Sequence, residues 1–228
     1  MFIACHLLLG LVLGLVLASF LGDRRLIGFA ALGAVLPDLI DKPVGHILLA
    51  ESLGSGRIFA HGLLFLTLLL AAGVVLKQRR QSFALLAVAA GALSHQVIDT
   101  MWTMPVTWYF PLLGPYQPYN LPDYFGNAIL AEASSLSEWI FLAASAGIAL
   151  AFCRGSWPDT GRPARILIRG AVPLLGLLAV ASMYAWAACI PESILMAGGG
   201  GEDYLVLAAV GAAGAVGMVR YRDLLSSG

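Results

Sequence analysis

The run from Phe2 to Leu21 is apolar but for His6 and Ser19, and several later stretches approach the same length. About 18 consecutive apolar residues are what a helix needs to cross a bilayer, so repeated runs of this kind restrict the chain to a few architectures. A soluble domain of 228 residues could not cover such a core, because 60% of the chain is hydrophobic and 11% is charged. The mean hydropathy of +0.87 agrees. The expected class is an all-α integral membrane protein, a single transmembrane helical domain over residues 1–228. Thirteen basic and thirteen acidic residues balance, so no bulk field attracts nucleic acid.

Seven spans are expected: Phe2–Leu21, Leu26–Leu49, Ile58–Leu76, Phe83–Met101, Leu136–Phe152, Leu167–Ala188 and Tyr204–Val219. Pro37 and the charges at 38, 41 and 42 mark a break in the second. Eleven basic residues (Arg24, Arg25, Lys77, Arg79, Arg80, Arg154, Arg162, Arg165, Arg169, Arg220 and Arg222) then fall on one side. The positive-inside rule assigns that side to the cytoplasm and puts the N-terminus outside and the C-terminus inside. Arg24 and Arg25 follow the first run instead of preceding it, so it reads as a retained span, not a cleaved signal peptide.

The connection 102–135 is rich in aromatic residues and is expected as an outer loop, either an interfacial belt or a lid that seats an amphipathic substrate. Segment 136–228 supplies packing helices. Gly10/Gly14 and Gly211/Ala215 have the small-residue spacing of close helix pairs. Cys5, Cys153 and Cys189 lack any CxxC spacing and read as buried, inert thiols.

Ionisable side chains within apolar spans are expensive and mark function. With the helices oriented by their flanking arginines, His6, Asp38, His61, His95 and Asp99 reach one depth at one face, and Asp41 lies beside Asp38. His95 and Asp99 are four apart and share a helical face. Singly, each has a bland reading: a packed histidine, a capping aspartate, a surface pair. Together they have the donor chemistry of a metal site, with zinc first and manganese or iron as alternatives, as one ion or two sharing Asp38 or Asp99. Such an ion would lower the pKa of bound water toward ~7 and make it a nucleophile. Lys42 and Arg57, the only basic residues left outside, are expected to hold an anionic substrate group, most naturally phosphate. Glu138 opens the fifth span at the same face, as a further ligand or a proton acceptor.

At these residues the chain resembles the membrane-bound metal-dependent hydrolase family named for a LexA-binding inner-membrane member. The resemblance rests on His6, Leu36-Pro37-Asp38 with Asp41, Arg57-x-x-x-His61, His95-x-x-x-Asp99 and Pro111-Leu112-Leu113-Gly114. It covers about residues 1–115, which carry the metal-site motifs. The family often has Thr-His-Ser where this chain has Ala60-His61-Gly62, so two hydroxyls are missing. The order of ligands is also similar to that in zinc-dependent phospholipase C and the related single-strand nucleases. These resemblances imply phosphoester hydrolysis on a multi-metal site.

The resulting expectation is a multi-pass protein of the inner or plasma membrane. It would be a metal-dependent hydrolase acting on a lipid or lipid-linked phosphoester at the outer face. The alternatives are a non-catalytic scaffold with a structural metal, and a divalent-metal or proton transporter. Transport would need polar groups through the full thickness, and the inner halves of these helices offer none.

Overall fold

The computed structural model describes residues 3–116, 124–153, 161–191, 193, 195–197 and 201–226. The elements are α1 (Ile3–Leu21), α2 (Arg25–Pro43) with a π-helical turn (Val44–Leu48), α3 (Leu63–Arg80), α4 (Ala84–Ile98), a 3₁₀ turn (Met101–Thr103), α5 (Pro105–Trp108), α6 (Tyr124–Ser134), α7 (Leu136–Cys153), α8 (Gly161–Ala187), α9 (Glu202–Arg220) and α10 (Arg222–Ser226). Four of these, α1, α7, α8 and α9, are long and apolar enough to cross a membrane. α4 is apolar but has 15 residues.

Several expected boundaries differ, among them the sixth span, which starts as α8 at Gly161 and not at Leu167. The second span ends as α-helix at Pro43, not Leu49. The third starts at Leu63, not Ile58, because residues 49–62 form turns held by side chains described below. The expected outer loop contains α5 and α6; Tyr119 and the rest of 117–123 lie outside the described residues, as does Arg154. Of the cysteines, Cys5 is buried as expected, whereas Cys153 is half-buried and Cys189 is exposed just beyond α8.

α1 lies at the centre, against α2, α4, α7 and α9. In lipid, helices are not driven together by apolar burial alone, so close approach through small residues matters. α1 and α2 pack antiparallel: a Cβ on Gly10 would lie 2.9 Å from Ala31 Cα and 2.5 Å from Ala34 Cβ, and one on Gly14 would overlap Ile27 Cα. α2 and α4 meet backbone to backbone, where a Cβ on Gly33 would overlap the Val88 carbonyl and one on Gly91 the Ala30 carbonyl. Gly147 packs likewise on Leu167 and Ile168 and Gly211 on Leu175 and Ala179; α2 and α4 run parallel, with Ala30 facing Gly91 and Ala34 facing His95, and both are antiparallel to α1. One end of the bundle therefore gathers the start of α1 and α7 and the finish of α2 and α4. Arg24, Arg25, Lys77, Arg79, Arg80, Arg162, Arg220 and Arg222 lie at the other.

Gly91→Ala is expected to destabilise the protein by about 1–3 kcal/mol, the usual cost of forcing extra volume into a closed contact. Gly28→Ala, where a Cβ meets nothing within 4 Å, should leave stability unchanged or slightly raised. Thermal midpoints of unfolding in detergent compare the two.

Candidate functional site

α1, α2, α4 and the turn before α3 deliver five side chains to one point: His6, Asp38, His61, His95 and Asp99 are all buried. His61 and His95 face each other with Nε2 to Nε2 3.1 Å apart. Asp38 Oδ1 lies 3.6 Å from His61 Nε2 and 3.8 Å from His95 Nε2. Asp99 Oδ2 lies 3.8 Å from each of those nitrogens. His6 stacks on His95, with ring centroids 3.8 Å apart and planes inclined by 22°. Its Nε2 is 3.3 Å from Asp99 Oδ1. Among the described residues neither ring nitrogen of His6 makes a well-aligned hydrogen bond. His6, Asp38 and His95, and likewise His61, His95 and Asp99, offer ligand atoms within 4.8 Å of one another.

The tautomers follow from the outer partners. His61 Nδ1 is 2.7 Å from Asp41 Oδ2, and His95 Nδ1 is 2.7 Å from the Ala34 carbonyl oxygen. Both partners only accept, so each Nδ1 carries a proton, and a ring in its neutral form then turns a lone pair inward at Nε2. Two lone pairs thus face each other, with carboxylate oxygens of Asp38 and Asp99 beside them. One shared proton could bridge the imidazoles, and Lys42 and Arg57 already face the two carboxylates; a divalent cation at the centre would take both lone pairs together with oxygens of Asp38 and Asp99. Two nitrogens on one tetrahedral zinc, at bonds of about 2.0–2.1 Å, are separated by roughly 3.3 Å, close to the separation seen. The donor set therefore fits a divalent ion.

Asp41, grouped with the ligands on sequence grounds, takes a different place. Its carboxylate accepts from the backbone N–H groups of Ile58, Phe59, Ala60 and His61 as well as from His61 Nδ1. It holds the turn before α3 and orients the His61 ring, the outer-partner role that usually fixes a ligating histidine. Glu138, expected as a further ligand or a proton acceptor, is also placed apart from the five. Its Oε2 accepts from the backbone N–H of Ala4 at 3.0 Å, so it caps the start of α1, where helix N–H groups lack internal partners. Among the described residues no hydrogen bond or ion pair is seen between Glu138 and the five cluster side chains.

Lys42 and Arg57 both reach the cluster. Lys42 Nζ lies 2.7 Å from Asp38 Oδ2, and Arg57 donates from Nε to Asp99 Oδ2 at 2.8 Å. Asp38 thus has Oδ2 on Lys42 and Oδ1 turned to His61 and His95, whereas Asp99 Oδ2 faces both Arg57 and that pair of imidazoles and its Oδ1 faces His6.

Gln96 was not singled out in the sequence. Buried beside His95, it donates from Nε2 to the carbonyls of Ala60 and Gly62 and accepts from Trp108 Nε1. An amide one residue from a histidine in an apolar helix was the available signal. The aromatic segment divides in two. Trp108 joins Gln96, and Tyr116 donates to the Ile58 carbonyl at 2.8 Å while stacking on Phe110. Burial pushes the Tyr116 phenol above its ordinary pKa, and the Asp41 charge adds to this, so it remains a neutral donor. Trp102, Tyr109, Leu112 and Leu113 are exposed instead.

Fold and site together define an all-helical membrane protein with a buried histidine–aspartate cluster at one end of its bundle. The family model described as YdjM inner membrane protein matches residues 1–187. The chain belongs to that family, and it is an inner-membrane protein with several spanning helices. Searches of curated proteins and of solved structures found no match.

Proposed function

We propose that this chain is a membrane-embedded, divalent-metal-dependent hydrolase acting on a lipid or lipid-linked phosphoester. The observation that carries the reading is the inward-facing pair of Nε2 lone pairs on His61 and His95, flanked by Asp38 and Asp99. His6, Asp38, His61, His95 and Asp99 would hold the ion or ions, with zinc first and manganese or iron as alternatives. The ion would supply Lewis acidity and an activated water. The chain's own residues do the rest. Asp41 and the Ala34 carbonyl keep both imidazoles in the ligating tautomer. Gln96 and Tyr116 hold the turn that carries His61. Lys42 and Arg57 stabilise negative charge beside the reacting group.

The face is the outer one. In this reading α2, α3 and α4 cross with the other four to give seven spans, and the packing of α2 along α1 supports the crossing of α2. The basic residues at the far end then mark the cytoplasm. The motif resemblance to the metal-dependent hydrolases named for a LexA-binding member supports the same reading.

Protein purified in detergent is expected to retain at least one divalent ion and to release product from phospholipid or model phosphodiesters. Chelation should remove both, and added zinc should restore them. Elemental analysis with a product assay is the measurement. Metal retained without turnover on any phosphoester would favour the scaffold reading, and absence of both would end the proposal.

A further inference from the structure

Arg57 spans the boundary between the buried cluster and the exterior: its side chain is 37% exposed, whereas that of Asp99, its partner, is 3% exposed. A guanidinium has five donors in a rigid fork. One, Nε, is spent on Asp99. Nη1 lies 3.9 Å from Met104 Sδ, a weak acceptor. Lys42 rises on the same rim. The residue before Arg57 is Gly56, and a Cβ there would lie 2.8 Å from His46 Nε2 and 3.3 Å from Lys42 Cγ, so the turn carrying Arg57 rests on the His46 ring and the lysine stem.

Charge selects the ligand. Asp38, Asp41 and Asp99 contribute three negative charges, and Lys42 and Arg57 two positive ones. With neutral histidines the cluster sums to −1, and one dication brings it to +1. A neutral ester or amide would leave that charge buried and unanswered, whereas a phosphate anion offsets it. Exposed Met104, whose Sδ lies beside Arg57 Nη1, suits an apolar substituent next to the phosphate.

We infer that Arg57, assisted by Lys42, forms a binding site for a phosphate-ester anion, with Arg57 clamping the carboxylate of Asp99 through Nε and the phosphate through its Nη groups. The inference rests on the hydrolase reading for its charge balance, but its test is separable. Isothermal titration would follow inorganic phosphate and a short-chain phosphatidylglycerol binding to the detergent-solubilised full chain. Divalent metal would be counted in the same samples.

Arg57→Lys keeps a cation beside Asp99 but loses the fork. It should weaken both ligands by about tenfold or more with metal content unchanged. Arg57→Gln should weaken them further. Tighter binding of the lipid than of inorganic phosphate assigns the site to a headgroup, and equal binding assigns it to free phosphate. Unchanged affinity in Arg57→Lys at full metal content would overturn the inference, as would a wild type that binds neither probe. A wild type without metal that still loses phosphate on Arg57→Lys would keep the anion site and sink the hydrolase.

Discussion

His95→Ala should strip the cluster of its metal and lower turnover by about a thousandfold or more, the largest effect expected of any single substitution in this chain. Metal-ion catalysis contributes several kcal/mol to a barrier, and each ~1.4 kcal/mol is tenfold in rate. His95 is the residue common to both possible ligand groups, and it is also the face on which His6 stacks. Its loss therefore disturbs two ligands at once. Metal counted per protein and phosphodiester turnover report the two consequences separately. Full metal content in a folded His95→Ala protein would show that the facing imidazoles are not the ligands.

Asp41→Ala should be the most damaging change to stability. The substitution leaves four backbone N–H groups and one imidazole N–H without their acceptor in a buried place. Removing one partner of a buried, hydrogen-bonded charge network costs about 3–5 kcal/mol, enough to consume much of a typical folding free energy. Asp41→Asn is the more informative variant, because it keeps the shape and one acceptor oxygen. Its expected effect is a 10–100-fold loss of metal affinity, the usual result of removing an outer partner of a ligating histidine, with a smaller fall in thermal midpoint. Unchanged affinity in Asp41→Asn would mean that the carboxylate shapes the turn without governing the His61 ring.

The two substitutions probe features that differed in how far they could be read from the chain. His95 with Asp99 was legible because a helix has a fixed period, and two polar residues four apart in an apolar run must share a face. His6 and Asp38 were legible by depth, because the flanking arginines set the direction of each helix. Gly10 and Gly14 were readable as contact residues because small residues four apart share a helix face. Asp41 and Glu138 were not separable from the ligands by these arguments. Their roles depend on which backbone N–H groups come near, and those belong to residues far away: Ile58 to His61 for Asp41, and Ala4 for Glu138. Gln96 was overlooked on the same ground, since its three partners come from the turn at 60–62 and from α5.

Taken by itself, the sequence determined that this chain is helical and membrane-bound, and which imidazoles and carboxylates lie at a common depth. Both follow from hydropathy and helical period, which are properties of local runs. Only the tertiary structure decided that the turn 49–62 is not helix, that Asp41 orients a histidine, and that Lys42 and Arg57 each hold one oxygen of Asp38 and Asp99. The physical reason is that a hydrogen bond acts over about 3 Å, and no local pattern states which distant groups will be brought that close.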